Sequence, residues 1–315
     1  MLSLVIVTYN REDVLVETIR ALEPLRAELA EPSELLIIDQ TPRHHSETDA
    51  ALQGWQREER IRWIRLPAPH LTKAMNTGLL EARGDLVLFV DDDIIPLRQL
   101  LKEHLAAHRT HPEAWAVVGQ VLQPGQQPIE LPRQLKSSFL WRDLDFPFNS
   151  TIPAWIENAI GCNLSMKRRE VLAIGGFDEA FPPPVASRFE SEFAKRLVKA
   201  GGRIRFSPSA SLHHLAAGSG GTRSKGSHLT SCSPRYGVGD IYFALRCGRG
   251  WERIWYVLRK PFREVRTRFH LRHPWWIPVK FIGEIRAIAL ACRLASSPPL
   301  LLDSSYSDHP TDRGR

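Results

Sequence analysis

Three apolar runs, LSLVIVT at 2–8, ELLIID at 34–39 and DLVLFVDDD at 85–93, each pass straight into polar or acidic side chains. Runs this short cannot span a bilayer, and their near-continuous apolarity means that both faces are covered, as in the strands of a parallel sheet. Between them lie helical patterns. REDVLVETIRAL at 11–22 puts Val14, Ile19 and Leu22 on one face, and LTKAMNTGLLEAR at 71–83 follows the short alternating strand RIRWIRL. Asn10 and Thr72 stand where N-caps are expected. The expected fold class is therefore α/β, a mostly parallel sheet flanked by helices. Ligands of such sheets bind beyond the carboxyl ends of the strands, where Thr8, Asn10, Asp39 and the aspartate cluster fall.

Three consecutive aspartates at a strand end need a reason. Asp91 and Asp93 point the same way and Asp92 the other. Clustered carboxylates raise one another's pKa unless a cation joins them, and an oxygen-rich site favours Mg²⁺ or Mn²⁺ with positions left open for a diphosphate. The plainer alternative is that Asp93 caps a helix starting near Pro96 while its neighbours are solvated in a turn.

A chain of 315 residues, 43% hydrophobic and 24% charged, makes one large domain with an appendage, or two domains. Its formal charge of +7 is concentrated between Arg246 and Arg293, which points to an anionic partner: a membrane surface, a nucleic acid or a phosphorylated ligand. Cys162, Cys232, Cys247 and Cys292 show no C-x-x-C spacing and read as free thiols in a reducing compartment. The first ten residues lack a basic leader and a small-residue cleavage site, so they are expected to be a strand and the protein to be cytoplasmic.

The pieces SLVIVTYNR, Asp39, KAMNTGLLEARGD, VDDDIIP, NLSMKRREVLAIGGFDEAF and AKRLVKAGGRIRFSPSASLHH follow one another in fixed order. Together, over residues 2–214, the series resembles the family 2 glycosyltransferases, inverting enzymes with the GT-A fold. The resemblance implies that Thr8, Asn10 and Asp39 hold a nucleotide. It also implies that Asp91 and Asp93 form a D-x-D motif gripping Mn²⁺ or Mg²⁺ on the donor diphosphate, with Asp92 between them. His214 falls where the relatives often place a third metal ligand. Where the relatives place a catalytic aspartate before R-L-x-x-x-G, this chain offers Glu190, with Glu192 two positions on as the other register. Met75 precedes Asn76, leaving Lys73 as the nearest cation for the diphosphate, and Gln40-Thr41-Pro42 follow Asp39. The segment AAGSGGTRSKGSH at 216–228 looks like a loop able to close over donor phosphates, or a plain connector. In the acceptor half, Asp178 of GGFDEAF either contacts acceptor or holds a turn, and Trp155 offers either a face for a sugar ring or core packing.

Beyond Tyr236 arginine alternates with tryptophan, and a helix follows with Ile277, Phe281, Ile285, Ile288 and Cys292 on one face. This reads as an in-plane segment on an anionic membrane, or as a helical subdomain packed on the core with a solvated basic face. No nucleic-acid recognition motif accompanies the charge. The expected organisation is a GT-A domain at 1–235, with a nucleotide-sugar half at 1–105 and an acceptor half at 106–235. A basic helical extension follows at 236–302 and a disordered tail at 303–315. The expected reaction is transfer of a sugar from a nucleoside diphosphate sugar to a hydroxyl of a glycan or lipid-linked acceptor, at the inner face of the membrane, in cell-surface polysaccharide or glycoconjugate synthesis. A nucleotidyltransferase and a non-catalytic membrane scaffold are the competing classes.

Overall fold

A computed structural model describes residues 1–136, 138–183, 187–221 and 227–303. The expected tail therefore lies, beyond Asp303, outside the described residues. The first half alternates β1 (Leu2–Thr8), α1 (Asp13–Ala27), β2 (Ser33–Asp39), α2 (Ser46–Arg57), β3 (Arg62–Arg65), α3 (Leu71–Glu81) and β4 (Leu86–Val90). Its strands lie parallel in the order β3-β2-β1-β4. Alternate side chains serve opposite faces. Val5, Val87 and Phe89 join one core, and Leu4, Ile6, Leu88 and Val90 join the other, which explains why these strands carry almost no polar residue. On the first face α3 comes so close to β1 that a Cβ on Gly78 would stand 2.6 Å from Val5 Cγ1.

The second half contains β5 (Ile94–Pro96), α4 (Leu100–Thr110), β6 (Ala114–Leu122), β7 (Ala154–Ile156), β8 (Asn163–Lys167), α5 (Arg168–Ala173), α6 (Phe189–Lys199) and β9 (Arg203–His214). Here the sheet mixes directions. β8 runs antiparallel between β4 and β6, and β9 runs parallel to β6 but antiparallel to β5 and β7. Beneath it, His104 and His108 of α4 are buried and both bond Ser165 Oγ, at 2.8 and 2.9 Å, while His104 also bonds Asn163 Oδ1.

The chain ends in α7 (Val238–Cys247), α8 (Gly250–Val265), α9 (Arg268–Arg272) and α10 (Trp276–Ala295). Tyr242, Phe243, Tyr256, Ala287 and Ala291 belong to the first core, so the extension packs on that face of the sheet. Among the described residues no helix is long and apolar enough to cross a membrane.

Three local expectations, at Asn10, Thr72 and Pro96, are corrected. Asn10 is a turn residue with φ 53°, and α1 starts three residues later behind Glu12 without a side-chain cap bond. Thr72 lies inside α3, whose N-cap is His70. Pro96 ends a strand, and the next helix begins at Leu100. In α10 the buried stripe is Lys280, Gly283, Glu284, Ala287 and Ala291, while Ile285 is exposed. The cause is a Lys280–Glu284 ion pair at 2.6 Å that neutralises itself within the interface.

Candidate active site

The ends of β1, β4 and β9 meet at a cleft of about 310 Å³, whose lining includes Arg11, Met75, Asp91, Glu190, His214 and Gly221. Pairing of Ile94 with His214 across β5 and β9 carries the histidine to the aspartates. Its Nε2 stands 3.1 Å from Asp91 Oδ2 and 3.3 Å from Asp93 Oδ1. The ligand atoms of Asp91, Asp93 and His214 all lie within 4.8 Å of one another, and two carboxylates with an imidazole suit Mn²⁺ or Mg²⁺.

Asp92 faces inward. It accepts from Thr8 Oγ1 at 2.7 Å, and burial pushes its carboxyl up to about 7 against that bond and Arg11, with Asp91 and Asp93 adding to the rise. Thr8 therefore braces the acidic strand end. Arg11 is the residue that motif reasoning passed over. Its guanidinium lies 3.4 Å from Asp92 and 3.3 Å from Asp93, and also donates to Ser219 O. The signal was in the sequence: three adjoining carboxylates require a cation, and an arginine follows Thr8-Tyr9-Asn10 directly.

Segment 215–221 folds against this cluster. Ala217 N–H donates to Asp93 Oδ2 and Gly221 N–H to Tyr9 O, each at 2.8 Å. The rest of the expected closing loop, 222–226, lies outside the described residues. Asn10 is exposed, and its N–H donates to Thr41 Oγ1.

Asp39 is placed differently from expectation. It is fully buried, with Oδ1 accepting from Thr41 N–H and Oδ2 2.9 Å from both His44 Nε2 and Trp63 Nε1. Burial opposes its charge, but the bonds from His44 and Thr41 outweigh that and hold its pKa below the ordinary value. Asp39 thus shapes the 40–42 turn from behind. A narrow slot of about 40 Å³ opens in front of it, lined by Thr8, Tyr9, Gln40, His70 and Leu71, and Gly221 lines both slot and cleft.

The two glutamates separate. Glu190 lines the cleft, and burial raises its carboxyl to about 7, with Asp91 adding to the rise and Arg188 opposing it. Glu192 turns away, bonded by both oxygens to Arg196 at 2.9 and 3.0 Å.

Four other expected site residues are held elsewhere. Lys73 is exposed on α3 and does not line the cleft. Asn76 is buried, accepting from Phe177 N–H and donating to Phe177 O, each at 2.8 Å, so it clasps the 175–178 turn. Asp178 is buried beneath that turn, accepting from Tyr242 Oη, Ala180 N–H and Leu300 N–H. Trp155 sits on β7 opposite Arg205 of β9, with the Arg203 guanidinium 3.7 Å and that of Arg205 5.3 Å from its ring centre.

Residues 3–173 match glycosyl transferase family 2. The pre-mycofactocin glycosyltransferase of Mycobacterium tuberculosis is 32% identical over 145 residues, which is 45% of this chain and 29% of that protein. The chain thus matches less than a third of the length of this curated relative. Crystal structures with the same fold include Staphylococcus aureus TarS 1-349 in complex with UDP-GlcNAc (TM-score 0.58, 16% identity, 92% of this chain and 83% of that one). Another is the mannosyltransferase PcManGT from Pyrobaculum calidifontis in complex with GDP-Man and Mn²⁺ (TM-score 0.51, 16% identity, 93% and 73%). With 171 consecutive residues matched and the GT-A sheet around its acidic cleft, the chain belongs to glycosyl transferase family 2.

Proposed function

We propose that the chain transfers a sugar, with inversion, from a nucleoside diphosphate sugar to a hydroxyl of a glycan or lipid-linked acceptor. The observation that carries this reading is that Glu190 faces the same cleft as the Asp91, Asp93 and His214 group. Glu190 takes the acceptor proton as the acceptor oxygen bonds to the anomeric carbon and the bond to the diphosphate breaks. Asp91, Asp93 and His214 would hold Mn²⁺ or Mg²⁺, which when bound offsets negative charge on the departing diphosphate. Support for the donor class comes from the relatives, whose crystals hold UDP-GlcNAc and GDP-Man.

In this reading the nucleoside enters the slot between Tyr9, Gln40 and His70, and Asp39 positions that slot through Thr41. Arg11 keeps the inner side of the acidic cluster compensated, so that the outer oxygens of Asp91 and Asp93 stay available. The exposed apolar residues of α8, Trp251, Trp255, Leu258 and Phe262, lie four, three and four residues apart on one face, with arginines beside them. That face rests on an anionic membrane at its inner surface.

The test is a pair of variants. Glu190→Gln is expected to lower turnover by about 10²–10⁴-fold, the range of general base catalysis, while donor affinity is kept. Glu192→Gln is expected to lose stability through Arg196 and to retain the chemistry. The reverse pattern would move the base to Glu192.

A further inference from the structure

A second concavity opens beside the cleft, where α8 meets Lys136 and residues 141–145. It encloses about 610 Å³ and is lined by Lys136, Trp141, Arg188, Trp255, Arg259 and Arg263, together with Leu144 and Asp145. Counting Lys260 and the carboxylates that pair with these groups, five cations meet three acids, Asp145, Asp240 and Glu264. A surplus of cations in a groove with aromatic walls calls for an anion.

The groove is built rather than incidental. Asp240 is buried, and it binds Lys260 at 2.6 Å, Arg188 at 3.0 Å, Arg263 at 3.1 Å and the Tyr256 hydroxyl at 2.8 Å. Glu264 also pairs with Lys260 and Arg263, so three cations face two carboxylates, which leaves one charge over while fixing where it stands. Arg188 Nη2 and Arg263 Nη1 make no hydrogen bond among the described residues, and Arg259 makes no ion pair among them. Guanidinium groups held this way match a phosphate geometrically. Trp141, whose ring lies 4.9 Å from that of Tyr256, and the exposed Trp255 give flat apolar faces suited to a sugar ring.

Groove and cleft share one short stretch of backbone. Ser187 and Glu190 line the cleft, and Arg188 lines the groove. Arg188 has φ 68°, a left-handed conformation that a long side chain adopts only when its surroundings impose it. Its bond to Asp240 supplies that constraint and sends the side chain to the groove while Glu190 faces the cleft.

We propose that this groove is an acceptor subsite that binds a phosphate group carried by the acceptor, a phosphosugar unit whose ring packs on Trp141 and Trp255 and whose phosphate meets Arg188, Arg259, Arg263 and Lys136. The proposal rests on the glycosyltransferase reading above and names its acceptor class: the hydroxyl to be glycosylated lies on a glycan that bears phosphate close by. Of the membrane face it uses Trp255 alone, which borders both.

The test is calorimetric titration of the full chain with glucose 6-phosphate, with glucose, and separately with phosphatidylglycerol vesicles. Lys136→Ala with Arg259→Ala is the comparison variant, since both side chains are exposed and neither touches Asp240. Glucose 6-phosphate should bind the parent protein, glucose should bind at least tenfold more weakly, and the variant should lose at least tenfold in affinity for the phosphosugar. Nucleotide-sugar binding with Mn²⁺ should be the same in both proteins. Equal binding of glucose 6-phosphate by parent and variant would overturn the proposal. So would equal binding of glucose, or binding of the vesicles without any binding of the sugar phosphate, which would give the surplus charge to a membrane. If the variant loses the phosphosugar while neither protein binds any nucleotide sugar, the groove stands and the glycosyltransferase reading fails instead.

Discussion

Arg11 shows how three consecutive aspartates share one strand end, although burial still raises the pKa of Asp92. It compensates the inward side, where Asp92 is sealed by Thr8, and leaves Asp91 and the outer oxygen of Asp93 beside His214. At Glu190 the opposing Arg188 and backbone bonds do not outweigh burial. The carboxyl, ordinarily near about 4.3, is raised to about 7 by burial and by Asp91. A base works only when ionised, so kcat/KM is expected to rise about tenfold per pH unit below 7 and to level off above it. The acid limb should vanish in Glu190→Gln; a limb centred between about pH 4 and 5 would mean an unperturbed carboxylate is the base. The candidate site was legible at Thr8, Asp91, Asp93, Glu190 and His214 because strand periodicity and the ordered motifs placed them at adjoining strand ends. At Asp178 the turn-holding alternative was legible, as its bond from Ala180 N–H bears out, but the long-range packing of Asp39, Asn76 and Asp178 was not. Their partners Trp63, Phe177 and Tyr242 lie 24, 101 and 64 positions away, and nothing local announces such bonds.

Helix α4 carries a second titrating feature, unrelated to the chemistry. His104 and His108 are buried against Ser165, and burial pushes their pKa values down to about 4 and about 3, with each other's charge and Lys167 adding at His108. In the unfolded chain both bind protons near the ordinary value of about 6.5. Stability is therefore fully present above about pH 6.5 and is lost as pH falls from there towards the folded values, at roughly 1.4 kcal/mol per pH unit for each histidine. Urea midpoints between pH 7.5 and 5 are expected to fall, and His108→Phe should flatten that slope whatever it does to the absolute stability. A slope unchanged in the variant would contradict the assignment. At this scale β1, β2, β4, α3 and β9 follow from apolar runs and helical periodicity, whereas α10 shows where periodicity misleads. Its apolar residues left two expectations, a membrane-facing stripe or a packed one, and the close approach of Gly237, whose Cβ would stand 2.6 Å from Glu284 Oε2, favours burial of the small and self-neutralised stripe instead.

Across the whole molecule, the proposed reading assigns the acidic cleft to the donor, the basic groove to the acceptor and the apolar face of α8 to a membrane. The basic extension was legible as charge, with packing on the core as one of two expected placements; which residues pack was not legible, because Tyr242, Tyr256 and Ala287 join the core through contacts between distant segments. Phosphatidylglycerol vesicles are expected to bind the chain, with affinity that falls as salt rises and in Trp251→Ser with Trp255→Ser. Equal binding to neutral phosphatidylcholine would remove the electrostatic part of that account. The central claim is a metal-assisted donor site at Asp91, Asp93 and His214. It is tested most directly by the melting temperature of the purified chain with UDP-, GDP-, dTDP- and CMP-linked sugars, in Mn²⁺ and in chelator. The account predicts that one nucleotide class raises the melting temperature by several degrees in Mn²⁺, about what 1–3 kcal/mol of binding gives a chain of this size, and that the rise disappears in chelator and in Asp93→Asn. No rise with any nucleotide sugar, in protein shown to be folded, would contradict it.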